Sequence, residues 1–285
     1  MKRLPHGLPS GNPPDAARAR PGFPVRLAGS SATVPTPNQP GQPNAQGLRM
    51  AGAQRSQGAL SPAAAPVSSG LGMDSQAVRT AMVRKLQAQG IAHPAVLAAM
   101  QAVERHRFVD TALVNQAYED TSLPIGLGQT ISKPNVVARM IELLCQGRTE
   151  KLGRVLEIGT GCGYQAAVLS HVSREVYSIE RLRGLHDKAR ENLRWFRLCN
   201  LHLLFGDGMV GYAKGAPYAA IIAAAGGDAI PQAWIDQLAV GGRLVAPAVT
   251  ATGHQNLVVI DKTADSVLRT ELEAVHFVPL KSGIA

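Results

Sequence analysis

The stretch RVLEIGTGCGYQAAVLSHV, residues 154–172, decides the fold. It begins with a short apolar strand, Val155 to Ile158, turns on three glycines, and continues as an apolar helix. Further along, EVYSIE predicts a second short strand that ends at Glu180, and RLRGLHDKARENLRWF after it has helical spacing. A strand, a glycine-rich turn, a helix and another strand in this order are typical of a parallel βαβ unit.

Four more apolar runs of strand length follow: LHLLFGDG, YAAIIAAAGG, GGRLVAPAV and NLVVIDK. PQAWIDQLAV, between the second and the third of them, predicts a helix. Strands that alternate with helices form a largely parallel sheet that is covered on both faces. The sequence therefore predicts an α/β fold with a Rossmann-like, doubly wound sheet, in which ligands bind at the carboxyl ends of the strands.

Two amphipathic helices are predicted before this α/β core. DSQAVRTAMVRKLQAQGI, residues 74–91, places apolar residues on one stripe and reaches its end at Gly90, and HPAVLAAMQAVERHRFV, residues 93–109, reads as a second helix. We therefore assign residues 73–150 to a small helical subdomain with a substrate loop, and residues 151–285 to a cofactor-binding core.

Residues 1–72 have a different composition, with 12 of the chain's 19 prolines and no lasting hydrophobic periodicity. Such a segment buries too little apolar surface to offset its conformational entropy, so we predict a disordered tail before one domain at 73–285. The tail holds seven basic residues and one acidic residue, whereas the rest of the chain holds 22 and 19. A domain with nearly balanced charge has no broad basic surface, so no specific nucleic-acid partner is predicted.

The cysteines, histidines and apolar runs exclude further classes of protein. Three cysteines without a CxxC pair predict neither a disulfide scaffold nor a cysteine zinc module, and they favour a cytoplasmic setting. No run of about 18 apolar residues occurs, so no membrane span is predicted. The histidines have no metal-ligand spacing, and no metal is expected. Trp195 and Trp234 are predicted to lie on helices as core residues.

The first predicted strand and its turn carry candidate cofactor-binding residues. Gly159, Gly161 and Gly163 let a ligand approach the backbone, and their spacing is tighter than the G-x-G-x-x-G of dinucleotide enzymes. Glu157 places a carboxylate where it attracts a cationic ligand and repels a diphosphate. An amino acid with a sulfonium centre suits this charge pattern.

The next two strands end in acidic residues. Glu180 is placed to accept hydrogen bonds from ribose hydroxyls, and Asp207, between Gly206 and Gly208, to accept one from an adenine amino group. The ordered set of residues resembles the S-adenosyl-L-methionine site of Rossmann-like methyltransferases, which leave S-adenosyl-L-homocysteine as product. Binding of a nicotinamide or flavin cofactor is the main alternative.

A polar loop and a helix precede the first core strand, in AYEDTSLPIGLGQTISKPNVVARMIELL, residues 117–144. The LPIG, GQTIS and proline series, joined to VLEIGTGCGY, closely resembles the protein-L-isoaspartate O-methyltransferase family. Five further stretches resemble family landmarks in the same order: RHRFV, VYSIE, GDG, the IPQAW to GGRLVAP run and the closing FVPL. The resemblance covers about residues 74 to 285.

The resemblance implies methyl transfer to the α-carboxylate of an L-isoaspartyl or D-aspartyl residue in a damaged protein. The family's active-site serine corresponds to Ser132, with Gln129, Thr130 and Ile131 in the same pocket and Gln255 as a further substrate contact. Because a carboxylate is already ionised at pH 7, no general base is required, and Ser132 would orient the carboxylate by a hydrogen bond. An alternative role for Ser132 is to cap the helix that follows it.

Three positions depart from the family pattern near the expected acceptor cleft: Asn135, Ala219 and Ala223. Two other functions therefore stay open. One is a methyltransferase of the same fold with a different carboxylate or small-molecule acceptor, and the other is a non-catalytic S-adenosylmethionine-binding protein. The expected partners are isoaspartyl-containing proteins and peptides, with no membrane association and a monomeric state.

Overall fold

Seven strands form a central sheet in the computed structural model, which describes residues 76–251 and 253–285, and two more form a separate hairpin. In chain order the strands are β1 (Leu123–Gly126), β2 (Gln129–Ile131), β3 (Leu152–Ile158), β4 (Ser173–Glu180), β5 (Leu201–Phe205), β6 (Tyr218–Ala223), β7 (Leu238–Val249), β8 (Gln255–Lys262) and β9 (Val267–Ala274). The described residues all belong to one compact unit. The predicted tail, residues 1–72, lies outside them.

The order of strands in the sheet is β5-β4-β3-β6-β7-β8-β9. Strands β3 to β7 run parallel to their neighbours, whereas β8 and β9 are antiparallel additions at one edge. The chain builds β3, β4 and β5 outward in one direction and then returns to place β6 on the other side of β3. This reversal makes a topological switch point between β3 and β6, where open α/β sheets bind ligands.

Six α-helices within residues 76–251 and 253–285 surround the sheet. They are α1 (Gln76–Ala88), α2 (Pro94–Ala102), α3 (Pro134–Cys145), α4 (Tyr164–Val172), α5 (Arg183–Leu193) and α6 (Gln232–Gln237). The second helix is shorter than its sequence pattern predicts, because the chain leaves it at Val103 and forms a separate 3₁₀ turn at Arg105–Phe108. Helix α2 packs against α1, α3 and α4, so the helical subdomain shares its core with the α/β part.

Successive residues of β3 point to opposite faces of the sheet, and two apolar clusters cover those faces. Val155 belongs to the cluster built with α1 to α5, and Leu156 belongs to the cluster that includes Trp234 of α6. The predicted doubly wound, mostly parallel α/β fold with a helical N-terminal part is confirmed. The prediction that both tryptophans are core residues is wrong for Trp195, which is 71% exposed.

Candidate active site

A cavity of about 240 Å³ lies at the carboxyl ends of β3 and β4, beside the switch point. Its wall comes from the glycine loop, the end of β4, the β1–β2 hairpin with the residues after it, and the segment 278–281. Eight of the sequence-predicted site residues line it: Gln129, Thr130, Ile131, Ser132, Gly159, Gly161, Glu180 and Gly208. The structure thus brings the expected cofactor loop and the expected substrate loop to a single cavity.

The glycine loop has a backbone that only glycine adopts without strain. Gly159, Gly161 and Gly163 have φ values of 90°, 56° and 94°. Gly163 does not line the cavity; a Cβ there would lie 2.8 Å from Leu193 Cδ1, so its role is the close packing of α4 on α5. Gly208, in contrast, lines the cavity, and Trp234 Nε1 donates a hydrogen bond of 2.8 Å to its carbonyl.

Glu180 forms part of the cavity wall with its carboxylate held by two backbone groups. Oε2 accepts a hydrogen bond of 2.8 Å from the amide of Gly161, and Oε1 accepts one of 2.9 Å from the amide of Leu182. These bonds join the end of β4 to the glycine loop and orient both oxygens. Each carboxylate oxygen can still accept a second hydrogen bond, as the predicted contact with the ribose hydroxyls requires.

Glu157 lies behind the cavity wall instead of on its surface. Its side chain is fully buried, Oε2 accepts a hydrogen bond from the Ser178 hydroxyl, and Oε1 has no partner among the described residues. Loss of hydration raises the pKa of Glu157 to about 8, against the opposing effect of the Ser178 hydrogen bond. The expectation of an ionised carboxylate facing the ligand is therefore corrected to a buried and largely protonated carboxyl group.

Gln165, which the sequence analysis did not select, is the polar residue that faces the cavity from α4. It is 7% exposed, and its amide lies beside the carboxyl group of Glu157, whose pKa the interaction with Gln165 lowers, although the geometry falls short of a full hydrogen bond. Buried amides are seldom left unpaired in native proteins, and with Glu157 on one side of the Gln165 amide, its remaining hydrogen-bonding position is open to a polar group of a ligand in the cavity. This observation, with the glycine backbone and Glu180, shows that the residues present fit an amino-acid nucleotide such as S-adenosylmethionine.

Asp207 and Gln255 are held in place by the backbone and do not line the main cavity. Asp207 accepts hydrogen bonds from the amides of Met209, at 2.8 Å, and Gly283, at 2.6 Å, and it lines an adjoining groove together with Gly206. Gln255 Oε1 accepts a hydrogen bond of 2.8 Å from the amide of Phe277. The structure therefore places Gln255 as a support of the C-terminal segment and not in the predicted substrate contact.

Ser132 is shared by two cavities. It lines the main cavity and a second one of about 350 Å³, which also includes Thr130, Ala224 and Val278. The Ser132 hydroxyl makes no hydrogen bond with any residue in the described part of the chain, so it is available to a ligand. The capping alternative is wrong, because the N-cap of α3 is Lys133, and the first-turn amide of Asn135 donates its hydrogen bond of 3.0 Å to Asp120 Oδ1 and not to Ser132.

The three departures from the family pattern lie outside both cavities. Asn135 donates a hydrogen bond of 2.8 Å from its side chain to Gln89 Oε1, toward α1. Ala219 lies near the start of β6, where it touches Gly153, and Ala223 is a fully buried residue at the end of that strand. Asn135 and Ala223 are each next in the chain to a lining residue, Val136 of the second cavity and Ala224 of both cavities, so the expectation that these positions lie near the acceptor cleft is corrected only for Ala219.

Two other kinds of site are absent from the described residues. No helix among residues 76–251 and 253–285 is long and apolar enough to cross a membrane. Over the same residues, no group of three or more His, Cys, Asp or Glu side chains is arranged to hold a metal ion.

The fold and the cavity define the chain as a methyltransferase of the Rossmann-like class. The model of the protein-L-isoaspartate(D-aspartate) O-methyltransferase family matches residues 77–285. The chain belongs to this family.

The relatives agree with this assignment. A protein-L-isoaspartate O-methyltransferase of Methylibium petroleiphilum is 58% identical over 276 residues, which cover 93% of this chain and 97% of the relative. One from Leptothrix cholodnii is 60% identical over 217 residues, covering 75% of this chain and 77% of the relative. A solved protein-L-isoaspartate O-methyltransferase is similar with a TM-score of 0.65 and 26% identity, over 72% of this chain and 67% of the other.

Proposed function

We propose that the protein transfers a methyl group from S-adenosyl-L-methionine to the α-carboxylate of L-isoaspartyl or D-aspartyl residues in damaged proteins and peptides. The observation that carries the proposal is the position of Ser132 on the wall between two cavities. The main cavity has the glycine loop and Glu180, and the second cavity opens beside the segment 274–278. In this arrangement, the cofactor occupies the first cavity and the damaged peptide enters through the second.

The chemistry needs alignment of the reactants more than it needs acids and bases. Bound S-adenosylmethionine supplies an electrophilic methyl group on a positively charged sulfur. An oxygen of the substrate carboxylate forms the new bond to that carbon, while the electron pair of the breaking bond goes to the sulfur, leaving a neutral thioether and a methyl ester. Holding two reactants in such geometry is worth several kcal/mol of barrier.

Ser132 orients the acceptor in this proposal. Its hydroxyl donates a hydrogen bond to one carboxylate oxygen and leaves the other oxygen directed at the cofactor. Gln129, Thr130 and Ile131 form the neighbouring wall and exclude water. Exclusion of water strengthens the attraction between the anionic acceptor and the cationic cofactor.

The cellular compartment and the oligomeric state of the enzyme are also part of this proposal. Cys145 and Cys162 are buried free thiols and Cys199 is an exposed one, a state that suits the reducing cytoplasm. We expect the protein to act there as a monomer on isoaspartyl-containing proteins.

The test of the function compares two synthetic peptides that differ in one linkage, normal aspartyl or isoaspartyl. The full chain is incubated with S-adenosylmethionine that carries a radiolabelled methyl group. Base-labile label on the isoaspartyl peptide alone is the expected result. If S-adenosylhomocysteine binds but neither peptide is labelled, the acceptor is a different one or the protein is not catalytic.

The variant Ser132→Ala tests the orienting role. Loss of one hydrogen bond to a charged group lowers kcat/KM for the isoaspartyl peptide by about 10-fold to 100-fold, with little change in the affinity for S-adenosylhomocysteine. The matched control is Ser266→Ala, in the turn between β8 and β9, which should keep the wild-type rate. A wild-type kcat/KM in Ser132→Ala would show that Ser132 takes no part in the reaction.

A further inference from the structure

Arg105 is a buried cation that lies next to the active site but outside its lining. Its side chain is 0% exposed, although it belongs to a short 3₁₀ turn between α2 and the substrate loop. Nε donates a hydrogen bond of 2.8 Å to the carbonyl of Ala117, and Nη2 donates one of 2.7 Å to the carbonyl of Ser132. The residue therefore joins three segments, one of which carries the orienting serine.

The positive charge of Arg105 is not balanced by an ion pair within the described part of the chain. Nη1 meets no acceptor with full hydrogen-bond geometry there; the Tyr164 side chain and, without an ion pair, the Asp120 carboxylate favour the charged form. Burial lowers the pKa of Arg105, but a guanidinium stays protonated in proteins. An uncompensated buried charge is costly, so its presence needs a reason.

The charge lies directly behind the wall of the main cavity. The guanidinium carbon is 4.7 Å from the centre of the Tyr164 ring, and Tyr164 lines that cavity. The Ser132 carbonyl, which accepts from Nη2, belongs to the residue that separates the two cavities. A fixed positive charge in a region without water acts over several ångströms on any group that binds at Ser132.

We propose that Arg105 is a positioning residue that gives the site its preference for an anionic acceptor, by fixing the Ser132 backbone and by supplying uncompensated positive charge behind the cavity wall. The inference rests on the proposed function, because it concerns the acceptor of that reaction. In the free protein the charge is stabilised by backbone carbonyls and the Tyr164 ring. A carboxylate at Ser132 supplies the missing negative charge, whereas a neutral amide of the same shape does not.

The first experiment compares two peptides on the full wild-type chain saturated with S-adenosylhomocysteine, so that no methyl transfer occurs. One peptide carries the isoaspartyl residue, and the other carries isoasparagine, in which the α-carboxylate is an amide. Titration calorimetry should show that the acid binds about 10-fold or more tightly than the amide. Equal affinities would overturn the proposal without the need for any variant.

The second experiment repeats both titrations with Arg105→Gln and Arg105→Lys. We expect the preference for the acid over the amide to fall about 10-fold in Arg105→Gln and to be largely kept in Arg105→Lys. Affinity for S-adenosylhomocysteine should change less than about twofold in both. Arg148→Gln is the matched control, since exposed Arg148 also donates to a carbonyl, that of Gly241 at 2.6 Å, away from both cavities.

Arg105→Lys keeps the inference testable if Arg105→Gln does not fold. Lysine keeps the charge but not the planar fork, so kcat/KM for the isoaspartyl peptide should fall while the acid preference remains. An unchanged kcat/KM in Arg105→Lys, or an undiminished acid preference in a folded Arg105→Gln, would overturn the assigned role. Failure of wild-type enzyme to bind or methylate the isoaspartyl peptide would instead overturn the proposed function.

Discussion

At the scale of single residues, the chemistry of the site depends on groups buried behind its wall as much as on groups that face the ligand. Glu157 is the clearest case, because its folded-state pKa of about 8 lies above the ordinary value of 4.5. The folded protein therefore binds a proton that the unfolded chain releases between these two values. The contribution of Glu157 to the free energy of unfolding is therefore greatest below pH 4.5, and it falls as the pH rises toward 8.

Glu157→Gln removes this source of pH dependence. Between pH 5 and 8.5 the wild type should lose up to about 4 kcal/mol of unfolding free energy relative to the variant. Urea denaturation at a series of pH values measures the two slopes. Glu191→Gln, which changes an exposed carboxyl on α5, should reproduce the wild-type slope. A Glu157→Gln slope equal to that of the wild type would mean that the buried carboxyl is ionised.

Gly161 is the loop residue whose replacement should affect the cofactor most directly. Its φ of 56° is unfavourable for a β-branched side chain, and a Cβ there would be 3.3 Å from Ile125 Cδ1 of the hairpin. Gly161→Val should therefore abolish binding of S-adenosylhomocysteine in calorimetry. Gly241→Val is the control, since Gly241 has a φ of 76° but open space around it. An unchanged affinity in Gly161→Val would contradict the assignment of the cofactor loop.

Residues that the backbone conformation requires could be predicted from the sequence. Residues that act through their charge could not. The spacing of Gly159 and Gly161 is visible in one line of sequence, because glycine is the residue that adopts positive φ values without strain. Arg105 carries no such signal, since an arginine in a polar run ordinarily lies at the surface. Its burial follows from packing among Ala117, Ser132 and Tyr164, which are distant in the sequence.

At the scale of elements, the β1–β2 hairpin forms one wall of the main cavity. Gly126, Leu127 and Gly128 at its tip have φ values of 97°, 51° and 70°, and Leu127 is 63% exposed although it lines the cavity. Lys188 Nζ, on α5, donates a hydrogen bond of 2.9 Å to the carbonyl of Ile125 and so holds the hairpin against the helix. This contact orders the wall before the cofactor binds.

Lys188→Met should weaken cofactor binding without unfolding the protein. The hairpin must then be ordered by the ligand itself, so the affinity for S-adenosylhomocysteine should fall several-fold, while unfolding free energy falls by about 1 kcal/mol. Calorimetry and urea denaturation measure the two effects. Lys214→Met, at an exposed position in a 3₁₀ turn, is the control and should change neither. Full affinity in Lys188→Met would show that the hairpin is ordered without this bond.

The sequence analysis missed two elements, the exposed strand β9 and the short β1–β2 hairpin. Strand β9 is exposed at nearly every position, so its residues, VLRTELEA, show none of the apolar character that marked the other strands. The hairpin has only seven strand residues and two glycines at its turn, Gly126 and Gly128, which made it read as a loop. Both elements are formed by pairing with neighbours, an interaction that local sequence does not reveal.

At the scale of the whole molecule, the described domain contains every part of the proposed site. The family model starts at residue 77, and helix α1 begins at Gln76 with Met82 and Leu86 buried against the rest of the core. The chain from Met73 onward therefore includes the helical subdomain, both cavities and the C-terminal segment. Residues 1–72 contribute nothing to this arrangement in our proposal.

A chain that starts at Met73 should keep kcat/KM for the isoaspartyl peptide within about twofold of the full chain, and its melting temperature within a few degrees. A second truncation that starts at Ala92 is the control. It removes α1 and Ile91, and loss of three buried side chains, Met82, Leu86 and Ile91, from a shared core should cost several kcal/mol of stability and much of the activity. If the chain from Met73 folds and binds S-adenosylhomocysteine but no longer methylates the peptide, the tail takes part in acceptor binding and the boundary at residue 73 is wrong.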